Sequence, residues 1–169
     1  MTRELPPYCQ LYAQDENGCF SNLVVHGGRA IGPDHVTRGN PLLIDPIDGE
    51  SARVSFKKFP TRIDLSRSVD NLQKTGFEAA AEAKVGETLI ILGFRGALHT
   101  PFEIIVTVLE VFSNGRIKVQ RVSGEKAAVG MSGSAAINTK NELVGVLSGG
   151  VENSPDNEQL YLEAVLDLE

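Results

Sequence analysis

The chain of 169 residues has no tryptophan, two cysteines and three histidines. Two cysteines allow one bridge at most, which excludes a small disulfide-stapled scaffold. Neither has a partner at zinc-type spacing, so no metal site is expected. A tight turn at Asn17-Gly18 would set Glu16 opposite Cys19 and leave Cys9 facing a residue far along the next strand. Both cysteines therefore read as free thiols, in keeping with a reducing compartment. No apolar run reaches membrane length, and the N-terminal stretch "MTRELPPYCQLYAQDENG" carries charges and a Pro-Pro pair where a secretory signal needs an apolar core. The expectation is a soluble, cytoplasmic protein with no membrane partner. Positive charge is the minority sign: Lys and Arg total 16 against 22 Asp and Glu, for a net charge of -6. Such a surface repels a phosphate backbone, which argues against a nucleic-acid partner. The most basic stretch, "RVSFKKFPTR" with Arg53, Lys57, Lys58 and Arg62, reads as a solvated strand face.

What the chain has in quantity is strand pattern. With 41% apolar and 22% charged residues it has globular composition. Six β-rich runs occupy the first half: "CQLYAQ", "NLVVHG", "GRAIGP", "PLLIDP", "ARVSFKKF" and "RIDLSRSV". Six more occupy the second: "TLIILGF", "FEIIVTVLEVF", "RIKVQRV", "SAAIN", "LVGVLSGG" and "QLYLEAV", with Asn114-Gly115 marking a tight hairpin. Between them, residues 73–87 lack alternation and read as a helical turn or a linker. Six strands, a connector and six strands predict an all-β protein of two six-stranded antiparallel barrels, residues 1–76 and 77–169, since closing each sheet removes its exposed edges. No repeat relates the halves. The tail "EAVLDLE" has apolar spacing suited to a short terminal helix.

The residues that invite chemistry begin with "GMSGSA", residues 130–135. Ser132 lies between glycines that permit a bend and a close approach of backbone to a ligand, and the N–H groups of Gly130 and Ser132 suit a cradle for a developing oxyanion. A glycine-rich hairpin entry is the plain alternative. A serine hydroxyl needs a neighbouring base, and the base needs a third group to fix its tautomer. His35 follows the Gly32-Pro33 breaker at a strand end, where side chains reach a barrel rim; a surface loop histidine is its plain alternative. His26, before Gly27-Gly28, reads as an outward-facing hairpin residue, and His99 as a loop residue. Asp64 stands inside an alternating strand pattern, where a short acidic side chain is unusual. Pairing with Arg62 or Arg67 is its alternative reading. Asp70 has ordinary turn chemistry and ranks second, and Asp34 reads as a turn residue.

"GMSGSAAINTKNELVGVLSGG" resembles the serine loop and following hairpin of the trypsin-like (chymotrypsin-fold) serine peptidases, with their G-x-S-G-G-P loop and G-I-V-S-W-G-like strand. "NLVVHGGRAIGPDHV" is similar to the hairpin ending in the family's T-A-A-H, "RIDLS" to its D-x-A-L segment, and "QLYLEAV" to its G-V-Y-T-x-V strand. The order His35, Asp64, Ser132 matches that of chymotrypsin. The resemblance implies a serine endopeptidase acting on a polypeptide through an acyl-enzyme, without a cofactor. Ser132 would be the nucleophile, His35 the base, Asp64 its orienting partner, and the Gly130 and Ser132 amides the oxyanion hole. It further implies that Ser148 bonds Asp64, that Gly149 and Gly150 expose an edge to which substrate adds as a strand, and that Lys126, Ala127 and Gln159 lie near the primary pocket.

Three positions depart from the family pattern. Met131 stands where many secreted members have an aspartate that pairs with a newly cut N-terminus, so activation by that route is not expected. Gly32-Pro33-Asp34-His35 replaces T-A-A-H, and Ser134-Ala135 replaces Gly-Pro. Because the residue after Gly133 is serine, the G-x-S-x-G elbow of α/β hydrolases is not met. The competing reading is a catalytically silent protease fold that binds peptides or partner proteins.

Overall fold

The computed structural model describes residues 10–47, 49–72, 76–95, 100–155 and 158–166. Among these residues thirteen strands form two sheets, and one four-residue helix lies between strands of the first. The first sheet starts with β1 (Gln10–Gln14) and β2 (Phe20–His26), paired antiparallel from Gln10↔Val24 to Gln14↔Phe20. Their connection is a three-residue loop, not the two-residue turn expected at Asn17-Gly18: Asp15 N–H donates to Cys19 O at 3.0 Å, and Gly18 takes φ +84. A type I turn closed by a glycine in the left-handed region satisfies the strand twist as well as a primed turn does. Asp15 thus takes the place opposite Cys19, which is an exposed free cysteine. Cys9 lies outside the described residues.

Beyond β2 the chain adds β3 (Arg29–Gly32), the helix α1 (Asp34–Thr37), β4 (Leu42–Ile44), β5 (Ser51–Arg53), β6 (Phe56–Lys58) and β7 (Ser66–Ser68), giving the order β5-β4-β1-β2-β3-β7-β6. This corrects the expected six-stranded N-terminal barrel. The sheet has seven strands and is curled but open, because β5 and β6 are its two ends. The run "ARVSFKKF" breaks at Val54-Ser55 into those two edges, and "RIDLSRSV" contributes only β7. All three residues of β5 are exposed, and β6 half-buries only Phe56, so neither edge has an apolar face to drive closure.

The second sheet is the closed six-stranded barrel that the pattern predicts, in the order β10-β13-β12-β11-β8-β9. It comprises β8 (Thr88–Arg95), β9 (Thr100–Val111), β10 (Arg116–Gly124), β11 (Ala135–Ile137), β12 (Leu143–Gly150) and β13 (Gln159–Ala164). The β9–β10 hairpin again uses a left-handed glycine, Gly115 at φ +87. No terminal helix is present among the described residues. β13 runs to Ala164 because Glu163 and Ala164 pair with Arg116 and Gly145, and the buried Val165 then packs between the sheets. The described part of the 73–87 connector is likewise not helical. Gly76 and Phe77 bridge to His26, and Ala80 bridges to Leu143.

Alternation gives each sheet an inner apolar face. Leu89, Ile91, Phe102, Ile104, Ile117, Leu160 and Leu162 fill the barrel, and Leu11, Leu23, Val25, Ala30 and Leu43 line the open sheet. A third cluster joins them: Val24, Ile31, Phe59 and Leu65 meet Leu92, Ile137, Leu143, Val146 and Val165. Burying a side chain such as Leu65 contributes about 1.5–3 kcal/mol, so this shared core holds the two sheets in one relative position. Among the described residues no helix is long and apolar enough to cross a membrane.

Candidate active site

His35 is the second residue of α1, which starts as Gly32-Pro33 ends β3. The Pro33 carbonyl accepts from the N–H groups of Val36 and Thr37 at 3.0 and 3.2 Å. Proline suits this position because it has no N–H to leave unpaired at a helix start. Asp64 does not lie within a strand, as its sequence pattern suggests, but in a bend just before β7. The bend is closed by Phe59 N–H to Leu65 O at 2.9 Å and anchored by the fully buried Leu65. Neither arginine proposed as its partner reaches it. Arg62 donates to the carbonyls of Ala164 and Leu166, and the Arg67 guanidinium lies over the Phe59 ring.

The Asp64 carboxylate is bonded on both oxygens. Oδ1 accepts the His35 backbone N–H at 2.9 Å, and Oδ2 accepts from His35 Nδ1 at 2.6 Å and from the Ser148 hydroxyl at 2.7 Å. Donation from Nδ1 to the carboxylate orients the ring and leaves Nε2 as the nitrogen that can take up and release a proton. Burial alone would raise the Asp64 pKa. The His35 side-chain bond, the His35 amide, Ser148 and the imidazole's charge outweigh it and hold the carboxyl at about 2.

Behind the carboxylate stands a group the sequence reading did not single out. Arg116 donates through Nε to Glu163 Oε2 at 2.9 Å and through Nη2 to the Ser148 hydroxyl oxygen at 3.2 Å. Glu163, 0% exposed, accepts the Asp64 backbone N–H on Oε1 at 2.8 Å. Since Ser148 Oγ accepts from Arg116, its one proton is directed to Asp64. The sequence signal was an acidic residue inside a strand pattern, Glu163 in "QLYLEAV".

Ser132 lies in the loop between β10 and β11. Residues 128–131 form a turn closed by Met131 N–H to Ala128 O at 3.2 Å, with Gly130 at φ +95, the type II signature. Among the described residues, neither the Gly130 N–H nor the Ser132 N–H donates to any group. The Ser132 hydroxyl donates to Ser148 O at 3.4 Å and shares no hydrogen bond with the His35 ring. Both residues nevertheless line one cleft of about 760 Å³, together with the β1–β2 hairpin, Arg38, Arg53 and Gly130.

The remaining candidates fall elsewhere. Ser148 sits behind Asp64. Lys126, Ala127, Gly149, Gly150 and Gln159 do not line that cleft. Lys126 is exposed, while Ala127 packs against the barrel core. Gly149 and Gly150 pair with Tyr161 and Leu160, and past Leu147 the opposite edge of β12 pairs with no described strand. Gln159 donates to Gln120 Oε1 at 3.4 Å. His26 bonds the Phe77 carbonyl through Nδ1 at 2.9 Å and does not line the cleft. Asp70 is exposed, and Asp34 accepts from Ser66 and Arg38. His99 lies outside the described residues.

No protein-family profile matches the chain, and no curated protein sequence matches it either. Solved structures do. Kallikrein-related peptidase 10 in complex with Zn2+ superposes with a TM-score of 0.72 at 14% identity, over 94% of this chain and 90% of that one. The Rv3671c protease in an inactive form gives 0.70 at 14% identity, over 94% and 84%. A human pathogenic astrovirus serine protease gives 0.70 at 10% identity, over 97% and 93%. The chain therefore has the fold of the trypsin-like, chymotrypsin-fold serine proteases.

Proposed function

We propose that this chain is a serine endopeptidase, a hydrolase of polypeptides, in which residues 1–76 carry His35 and Asp64, residues 77–169 carry Ser132 and the oxyanion cradle, and the two halves form one peptidase domain. The observation that carries the reading is the 2.6 Å bond from His35 Nδ1 to Asp64, on a cleft whose other wall presents Ser132 beside two uncommitted backbone N–H groups. An anchored imidazole, a hydroxyl and paired amide donors are the parts an acyl transfer needs.

In the reaction, rotation about the Ser132 Cα–Cβ bond turns the hydroxyl from the Ser148 carbonyl toward His35 Nε2. Oγ attacks the scissile carbonyl carbon as Nε2 takes its proton, and the Asp64 carboxylate stabilises the resulting imidazolium. The carbonyl oxygen becomes an oxyanion held by the Gly130 and Ser132 N–H groups, each such donor being worth about 3–4 kcal/mol in comparable sites. The C–N bond then breaks and the imidazolium proton passes to the leaving amine. Water, deprotonated by the same nitrogen, attacks the acyl carbon; the ester C–O bond breaks, Ser132 Oγ takes the proton back from the imidazolium, and the carboxylic product leaves. The free edge at Ser148, Gly149 and Gly150 suits an extended peptide that adds as a strand, with Lys126, Ala127 and Gln159 toward its P1 side chain.

The direction of the Ser132 hydroxyl, toward Ser148 O rather than His35, favours a second reading, a silent fold that binds peptides without cutting them. Labelling by a fluorophosphonate separates the two. The peptidase reading expects labelling of the native chain that is lost in Ser132→Ala and in His35→Ala. Folded native protein that resists the reagent would establish the silent reading.

A further inference from the structure

The loop that carries Ser132 is seated on a residue of the other sheet. Asn22, in β2, is 2% exposed and uses every hydrogen-bonding position of its side chain. Oδ1 accepts from Phe94 N–H at 3.0 Å and from Gln10 Nε2 at 2.8 Å. Nδ2 donates to Phe94 O at 2.8 Å and to Gly130 O at 3.0 Å. The paired bonds to the Phe94 backbone settle which end of the amide is oxygen, because Phe94 N–H only donates and its carbonyl only accepts. With the amide so pinned on β8, its second N–H has one direction left, and the Gly130 carbonyl lies in it.

The Asn22 backbone holds the same loop a second time. Its N–H donates to Ser132 O at 2.9 Å, and its carbonyl lies so close to Gly133 that a Cβ there would stand 1.6 Å from it. The 130–131 and 132–133 peptides are thus both fixed by one residue. Between them Met131 is fully buried, its sulfur accepting from Ala128 N–H at 3.2 Å. What remains uncommitted is the N–H of Gly130 and the N–H of Ser132.

We infer that Asn22 is the positioning residue of the oxyanion cradle: its side-chain amide holds the Gly130 carbonyl so that the Gly130 and Ser132 N–H groups stay directed into the cleft before substrate arrives. The inference rests on the peptidase reading for its kinetic consequence but not for its structural one. It also supplies what Met131 cannot. An aspartate at that position would need a cationic partner to hold the loop, whereas Asn22 holds it with groups already inside the chain, so the cradle is set without cleavage of an N-terminal segment.

The test compares the native chain with Asn22→Ala, with the isosteric Asn22→Asp, which lacks the donor to Gly130 O, and with Val119→Ala as a core-destabilised control in the barrel. Using a peptide amide substrate and counting only folded protein, the expected result is a fall in kcat of about 100-fold in both Asn22 variants, with KM changed less than about 3-fold, because the cradle acts in the transition state. Fluorophosphonate labelling should slow by a similar factor, and Val119→Ala should match the native kcat. An Asn22→Ala protein with native kcat per folded molecule overturns the inference. If the native chain does not turn over at all, backbone order parameters decide. Gly130 to Ser132 should be rigid, near 0.85, in the native chain and fall below about 0.6 in Asn22→Ala. Unchanged order in the variant overturns the inference, whatever the fate of the peptidase reading.

Discussion

The backbone N–H of Asp64, at the rim of the open sheet, donates to the buried side chain of Glu163, on the face of β13 that lies outside the closed barrel, at 2.8 Å. The acidic partner of His35 is therefore held from behind by a carboxylate that is itself held by Arg116. Removing one member of a buried ion pair costs about 3–5 kcal/mol, because the other charge is left unpaired. Arg116→Met is expected to destabilise the fold by that amount, measured by urea unfolding at neutral pH. Glu163→Gln keeps an acceptor for the Asp64 N–H and leaves the unpaired charge on Arg116, which is 19% exposed and can be hydrated, so it is expected to cost less. Equal costs for the two would show that the charge of Glu163 is not what Arg116 serves.

Asp64→Asn removes the carboxylate that accepts from Nδ1 while conserving shape. Turnover is expected to fall about 10⁴-fold with the protein still folded, since the imidazole loses both its tautomer preference and the charge that stabilises its cation. Initial rates together with a circular dichroism spectrum check this. A loss of folding instead of rate would make Asp64 a structural residue.

Asp64 also writes a pH dependence into stability. Its folded carboxyl is held at about 2 against a reference of 3.8. The stabilisation from ionised Asp64 is thus fully present above about pH 4 and is lost as pH falls through about 2, where the folded carboxyl takes up its proton. Urea midpoints measured at pH 2, 3, 4 and 7 should fall across the acid end in the native chain. Asp64→Asn should fall less steeply there, and parallel curves would contradict the assignment.

Gly133 takes φ +90 with the Asn22 carbonyl against it. Gly133→Ala is expected to lose more than the roughly 1–2 kcal/mol of a left-handed backbone, because the added methyl must also displace the Asn22 main chain. Gly149→Ala, where a Cβ meets nothing within 4 Å, should change stability little. Thermal melts of the pair measure the contrast directly.

Much of the fold was legible because strand alternation and turn glycine are local signals. The runs from "TLIILGF" to "QLYLEAV" all appear as strands of the closed barrel. The N-terminal half was legible as strands but not as an open sheet. Closure depends on whether its last edges have an apolar face to bury, and the exposed β5 and mostly exposed β6 do not. No terminal helix is seen among the described residues, where strand pairing of Glu163 and Ala164 takes up residues whose spacing suited either element.

At the site, the serine between glycines, a histidine after a strand breaker and an acid out of place in its pattern were each conspicuous alone. Asn22, Arg116 and Glu163 were not. Polar residues on strands are ordinary, and the partners that decide their roles are distant: Phe94 and Gly130 lie 72 and 108 residues from Asn22, and Glu163 lies 99 residues from Asp64.

What the amino-acid order determined by itself is the succession of strands and turns, since period-two alternation and left-handed glycines act over a few residues. Only the packed molecule decided that one sheet closes and the other stays open, that His35 meets Asp64, and that Asn22 clasps the serine loop. Those outcomes depend on apolar burial between distant segments, and the directed bonds of buried polar groups are settled only once that burial has brought them together.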